Sequence, residues 1–202
     1  MPISVIRKRR ADRGFTLIEV LITLIVFAIG ILTVAGLQIV SKKTNYDAVQ
    51  RTTASMLAQD IVQRMRANSD TSWGSYITED LGGSSLGVPA SNCSTAGVTC
   101  SPTQMTTYDL YSWELAIDGA SDGNTGGLVD PSACIRGPAG GGEGSYIIIL
   151  AWRGVNELSN PTIDADTSGI ATGCGAGDGN YGPDDANRRV LMVSTYLSPY
   201  VR

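Results

Sequence analysis

The rhythm of apolar and polar positions changes twice along this chain. From Val20 to Leu37 there are eighteen residues without a charge, most of them apolar, and Gln38-Ile39-Val40-Ser41 delays the next charge to Lys42. That length is enough to cross a bilayer as a helix. Beyond it, Ala54, Leu57, Ala58, Ile61 and Met65 recur at helical spacing, while Arg51, Asp60, Gln63, Arg64 and Arg66 fall on other faces. No proline lies between Pro2 and Pro89. The spacing therefore predicts one helix from Phe15 to about Ala67, roughly 80 Å long at 1.5 Å per residue, apolar all round at first and amphipathic afterwards.

The remainder alternates differently. Residues 68–107 are rich in Ser, Thr, Gly and Asn and read as an extended connecting loop. Leu110, Trp113 and Ile117 stand at i, i+3, i+7 and predict a short helix. Three strands follow, a weak one over Leu128–Ile135 and strong ones over Tyr146–Trp152 and Val190–Leu197. The Gly- and Asp-rich gaps between them read as loops, so the expected sheet is antiparallel, and a long helix on such a sheet makes an α+β roll with one modest core. Trp113 and Trp152 are expected in that core.

Composition narrows the chemistry. The 202 residues include no histidine, which excludes His-dependent hydrolases and most zinc enzymes. No Ser-x-x-Lys pair or paired-carboxylate constellation stands out, and Gly137–Gly144 lacks the lysine and the strand-to-helix context of a phosphate loop. No enzymatic activity and no cofactor are expected. The net charge of −4 conceals an asymmetry: Arg7, Lys8, Arg9, Arg10 and Arg13 against Asp12 give the first fourteen residues +4, which leaves −8 on the rest. Such an acidic body is a poor general nucleic-acid binder. Basic residues before an apolar helix stay cytoplasmic, which places the rest of the chain outside.

Glu19 near the start of the apolar run does not suit an ordinary anchor, because a carboxylate inside a membrane helix costs about 2.5–3.5 kcal/mol at the centre and less near the edge. A cleaved secretory signal with Thr33-Val34-Ala35 before the cut has too long an apolar region for the usual ~7–15 residues. A plain single-pass anchor leaves Gly14 and Glu19 unexplained. Arg13-Gly14-Phe15-Thr16-Leu17-Ile18-Glu19 behind a basic leader resembles the processing site of type IV pilins and pseudopilins. The resemblance implies cleavage between Gly14 and Phe15 by a prepilin peptidase that also N-methylates Phe15, retention of the apolar helix, and a role for Glu19 in assembly. Ala28-Ile29-Gly30-Ile31-Leu32 followed by Ala35-Gly36-Leu37-Gln38 resembles the minor-pilin branch called PilV, the type IV pilus modification proteins.

The organisation this implies is a cleaved leader over 1–14, a transmembrane and assembly half-helix over 15–41, an amphipathic half-helix over 42–69, and a globular region over 70–202. It further implies a type IV pilin-like fold and a minor pilin that primes or modulates a pilus used for adhesion, motility or DNA uptake. The implied route is the bacterial inner membrane, single-pass with a cytoplasmic N-terminus, and then the pilus. Expected partners are other major and minor pilins, the prepilin peptidase and N-methyltransferase, the inner-membrane assembly platform and membrane lipid. A pseudopilin of type II secretion is the rival. The arrangement also has a physical logic. Cleavage frees an α-amino group with a reference pKa of about 7.7–8.0. A buried carboxylate needs such a cation, and Phe15 of a neighbouring subunit, or of the same chain one helical turn away, supplies it. Gly30 and Gly36 weaken the helix by about 1 kcal/mol each relative to alanine, or simply allow close packing.

Cys93, Cys100, Cys134 and Cys174 all fall on the exported side, so two disulfides are expected. Three connectivities are open. Cys93–Cys100 with Cys134–Cys174 is preferred, because it closes one tight loop and ties one long loop to the sheet. Asp164, Asp166, Ser168 and Gly169 follow the first half of a calcium loop, but Gly175 stands where the bidentate glutamate belongs. Asp178, Asn180, Asp184 and Asp185 are near enough in sequence to complete a non-standard cage. Turn formation explains the same residues, and no metal is expected.

Overall fold

The computed structural model describes residues 14–68, 70–120, 126–158 and 173–199. The chain divides into two compact units, Met1–Lys42 and Lys43–Arg202, and α1 (Leu17–Ala67) runs through both. In the first unit every described residue is exposed, which is what an all-apolar helix gives when nothing is packed on it. The helix is unbroken across Gly30 and Gly36, and Thr23 and Thr33 donate their hydroxyls back to the carbonyls of Val20 and Ile29. Their polar groups are thereby satisfied without water.

The second unit holds the core. Gln50, Ala54, Ala58, Ile61, Val62 and Met65 form one buried face of α1, at the spacing expected of an amphipathic helix. After α1 come a 3-10 turn (Asp70–Tyr76), β1 (Thr78–Leu81), α2 (Pro102–Ile117), β2 (Ser132–Arg136), β3 (Gly144–Arg153) and β4 (Arg188–Leu197). The strands form one antiparallel sheet in the order β1-β2-β3-β4. Alternation along β3 sends Tyr146, Ile148, Leu150 and Trp152 into the main core with α1 and α2, whereas Ile149 faces the other side. Trp113 and Trp152 are buried as expected, and so is Trp73. The Trp73 and Trp113 indoles donate to the α1 carbonyls of Met65 and Leu57 at 2.9 and 2.8 Å.

Residues 68–107 are not one extended loop. They contain the 3-10 turn, β1 and the first turns of α2, so the short helix expected near Leu110 begins at Pro102. Ser101 caps it: its hydroxyl accepts from the Gln104 amide, and the Gln104 side chain accepts from the Ser101 amide. That reciprocal pair is the capping box, with proline at the first helical position. The strand β1 has only four residues with two adjacent acids, and Asp80 takes a positive φ of 55° that breaks its register with β2. Such a strand has little alternation to read. The weak strand expected over Leu128–Ile135 lies at Ser132–Arg136.

Buried polar groups hold the elements together. Asp109 on α2 accepts from the Tyr76 hydroxyl at 2.6 Å and from Arg64 at 3.3 Å, and Arg64 also grips Asp60 at 2.8 Å. The stretch Gly137–Gly144 is the turn between β2 and β3. Gly141 (φ 65°) lies so close to Gly74 that a Cβ would stand 2.2 Å from its Cα, so both glycines are required there.

Candidate functional site

The segment at Gly14–Glu19 opens α1. Gly14 has nothing within 4 Å of where a Cβ would stand, and Phe15 and Leu17 are among the most exposed side chains. Thr16 caps the helix: its carbonyl accepts from the amides of Glu19 and Val20 at 3.1 and 3.3 Å, and its hydroxyl accepts from the Glu19 amide at 3.4 Å. Glu19 therefore sits in the first turn, where the positive end of the helix dipole favours a carboxylate. The sequence reading gave Thr16 no role, although Thr-x-x-Glu before an apolar run is the capping-box pattern. From Leu17 onward the helix is long and apolar enough to cross a membrane by length and composition. Glu19 is the one acid among the apolar side chains that open it. The basic leader Arg7–Arg13 lies outside the described residues.

What this arrangement offers is an accessible peptide bond and an exposed apolar helix surface. An exposed glycine–aromatic peptide bond can enter a peptidase cleft, and an apolar helix exposed on all sides needs lipid or another helix around it.

Two family models match the chain, one across this segment and one directly after it. Residues 9–35 match the prokaryotic N-terminal methylation motif, and residues 36–111 match the family described as type IV pilin Tt1218. Over these residues the chain is similar to type IV pilins. Comparison with curated proteins and with solved structures gives no match. Type IV pilins are structural, non-enzymatic proteins, and the long helix packed through its second half on a four-stranded antiparallel sheet is their α+β fold. The methylation motif implies processing by a prepilin peptidase, and the likeness to type IV pilins implies pilus partners. Motif and helix together imply anchoring in the inner membrane and then residence in a pilus.

The cysteines lie in the second unit. Cys93 is bonded to Cys100 and Cys134 to Cys174, each pair with its Cα atoms 5.9 Å apart. Cys134 points to the face of the sheet away from α1, where Cys174 and Ile149 form a small second core with Ile147 and Val190. Arg188, 1% exposed, donates from Nε and Nη2 to the Cys174 carbonyl at 3.2 and 2.9 Å, so the segment is held by charge-assisted bonds as well as by the disulfide. Burial is the largest influence on that guanidinium and lowers its pKa.

Asp164, Asp166, Ser168 and Gly169 lie outside the described residues. Of their sequence neighbours, Asp185 accepts from the Gly177 amide at 2.9 Å. Among the described residues, the group of carboxylate and sulfur atoms that converges is Asp80 with Cys134 and Cys174, whose sulfurs are bonded to each other. The protein is expected to melt at the same temperature in calcium and in chelator. A calcium-dependent rise that Asp164→Ala with Asp166→Ala abolishes would overturn this, since a bound ion stabilises in proportion to its saturation.

At the C-terminal end of α2, Glu114 and Asp118 hold the segment that follows β1. Glu114, 1% exposed, accepts from the amides of Gly82, Ser85 and Leu86 and from the Ser85 hydroxyl. Asp118 accepts from the amides of Gly83 and Ser84. Burial alone would raise the Glu114 pKa, but the bonds from Ser85, Leu86 and Gly82 together hold it below its ordinary value. A carboxyl lowered on folding adds stability that is complete above its unfolded pKa and is lost as pH falls through the folded one. Glu114→Gln should accordingly lower the melting temperature near neutral pH and flatten its fall on acidification. A variant with the same acid limb as the parent would show that these bonds do not stabilise the ionised form.

Proposed function

We propose that this chain is a minor pilin, of the PilV type, that primes or modulates assembly of a type IV pilus. It is made with residues 1–14 as a basic leader on the cytoplasmic side. The peptidase cuts between Gly14 and Phe15, Phe15 is N-methylated, and residues 15–41 remain as the membrane and assembly half of the helix, ahead of the amphipathic half over 42–69. One observation carries this reading: the carboxylate of Glu19 opens an apolar helix exposed on every side, one turn beyond the expected cut. A helix of that kind is stable only inside lipid or among like helices, and an acid at its start needs a cation there. The new amine of Phe15 on a neighbouring subunit supplies that cation during transfer from membrane to filament. Glu19 thus sets register more than it adds stability.

Support for the minor role comes from Ala28–Leu32 and Ala35–Gln38, which follow the PilV-like pattern. The match of residues 36–111 to a pilin family favours a pilus over a secretion piston. The test is the mature subunit itself. Sheared pili should contain this chain at low abundance relative to the major pilin, beginning at a methylated Phe15. A mature chain beginning at Gly36 would make it an ordinary secreted domain.

A further inference from the structure

The Cys134–Cys174 bridge lies among oxygen atoms that a purely structural crosslink does not need. Asp80 of β1 places its Oδ1 3.8 Å from Cys134 Sγ and within 4.8 Å of both sulfurs. Ser132 of β2 stands with its Oγ 3.4 Å from that carboxylate oxygen and 3.7 Å from Cys174 Sγ. Asp80 holds a left-handed φ of 55°, and the Gly175 amide donates to its Oδ1 at 3.3 Å. Both cysteines are fully buried whereas Asp80 is exposed, so Asp80 is where solvent meets the group.

Two further side chains face it. Tyr181 is fully buried, and its hydroxyl has no hydrogen-bond partner among the described residues. It borders the same hollow: a Cβ on Gly175 would stand 3.0 Å from this hydroxyl and 3.1 Å from Ser132 Oγ. A buried donor in that state calls for a partner such as an ion's ligand or a water. Arg188, with its guanidinium on the Cys174 carbonyl, adds a positive charge beside Cys174.

We infer that these residues form a zinc site that replaces the disulfide when the bridge is reduced. Tetrahedral zinc, with bonds of about 2.3 Å to sulfur and about 2.0–2.2 Å to oxygen, sets its ligands about 3.3–3.8 Å apart. The Asp80–Cys134, Asp80–Ser132 and Ser132–Cys174 spacings already match, so the main adjustment is for the two sulfurs to part. Cys134, Cys174 and Asp80 supply three anionic ligands. Ser132 Oγ marks the fourth vertex, and Tyr181 is the group available to bond the oxygen there. Thiolates select zinc over a hard ion such as calcium.

The chemistry balances. A dithiol reductant opens the bridge, becoming a disulfide itself and leaving Cys134 and Cys174 as thiols. Zinc then displaces the two thiol protons into solvent. Two thiolates and a carboxylate exceed the charge of the ion by one, which Arg188 offsets. Zinc thus keeps the Cys174 segment on the outer face of the sheet, away from α1, in a reducing medium, as the bridge does in an oxidising one. The inference holds whatever assembly the chain enters.

The experiment uses the full chain in detergent micelles with Cys93→Ser and Cys100→Ser, reduced, freed of reductant without oxygen, and given zinc or cobalt alone. At neutral pH the reduced chain should bind one zinc, release two protons and melt higher with zinc than with chelator. Cobalt in its place should show thiolate charge transfer and the intense visible bands of a tetrahedral site. The oxidised chain should do none of this. Asp80→Asn, which keeps an acceptor for Gly175 and Ser132, should weaken zinc binding at least about ten-fold. Tyr181→Phe should weaken it about ten-fold without lowering the melting temperature of the oxidised chain, since no bond is lost there. No zinc on the reduced chain, equal binding by the oxidised chain, or octahedral cobalt would overturn the site. So would binding that survives Cys134→Ser with Cys174→Ser, or that neither Asp80→Asn nor Tyr181→Phe weakens.

Discussion

Glu19→Val chains are expected to be cleaved, methylated and inserted normally, and yet to be missing from sheared pili. Replacing a carboxylate with an isopropyl group makes the helix more apolar, so insertion gains. The free amine of Phe15 then lacks the partner that fixes its place against a neighbouring helix, and incorporation should fall at least about ten-fold, the effect of roughly 1.4 kcal/mol in an equilibrium. Glu19→Asp should be intermediate, since the shorter side chain reaches less far. Gly14→Val separates the earlier step, because a side chain at residue 14 crowds the peptidase subsite and leaves the leader attached. N-terminal sequencing and mass spectrometry of membrane and pilus fractions read both. Wild-type incorporation of Glu19→Val would leave the likeness to pilins intact and remove this account of the glutamate. Thr16 supplies an internal control. Thr16→Val removes the hydroxyl cap on the same turn but keeps the carboxylate, so loss of incorporation there as well would point to helix-end geometry instead of charge.

Removing the Cys134–Cys174 bridge by Cys134→Ser with Cys174→Ser should give the largest loss of stability of any change outside the main core. The bridge spans 40 residues. In the chain-entropy model a loop of that size is worth about 3–4 kcal/mol. At roughly 2–4 °C per kcal/mol for a body of this size, the melting temperature should drop by roughly 6–16 °C. The same change loosens the segment that shields Ile149 on the outer face, leaving Arg188 to hold it through the Cys174 carbonyl. Cys93→Ser with Cys100→Ser, whose bridge spans seven residues of an exposed turn, should lose about 1–1.5 kcal/mol less in the same model. A melt of the full chain in detergent checks both. Equal shifts for the two pairs, or a shift below 2 °C for the longer one, would mean that loop closure is not what stabilises the outer face.

How far the amino-acid order went depended on whether a feature was local. An eighteen-residue uncharged run can do little else in water or lipid than form a helix, and the face of α1 from Ala54 to Met65 repeats every three to four residues. The processing segment was legible for the same reason, since glycine, aromatic and glutamate lie within six residues of one another. β3 and β4 declared themselves by long apolar runs. β1 did not, because four residues containing Glu79 and a left-handed Asp80 show no alternation, and only pairing with β2 makes them a strand. The first turns of α2 were hidden for a related reason: Pro102 to Thr107 holds three threonines and a single large apolar residue, Met105, and the capping box at Ser101 starts a helix that composition disguises.

The sequence by itself thus determined the long helix, its apolar and amphipathic halves, the acid at its start and the antiparallel character of the main strands, all set by periodicity and charge within a few turns of chain. The tertiary structure alone decided what depends on residues far apart. Which cysteines pair follows from the approach of β2 to the segment at Cys174. Glu114 and Asp118 become clamps only because α2 ends beside residues 82–86, and Asp109 can remain buried only where Tyr76 and Arg64 reach it. A buried carboxylate is stable when its partners are fixed around it, and no pattern along the chain records partners that lie some 30 to 45 residues away.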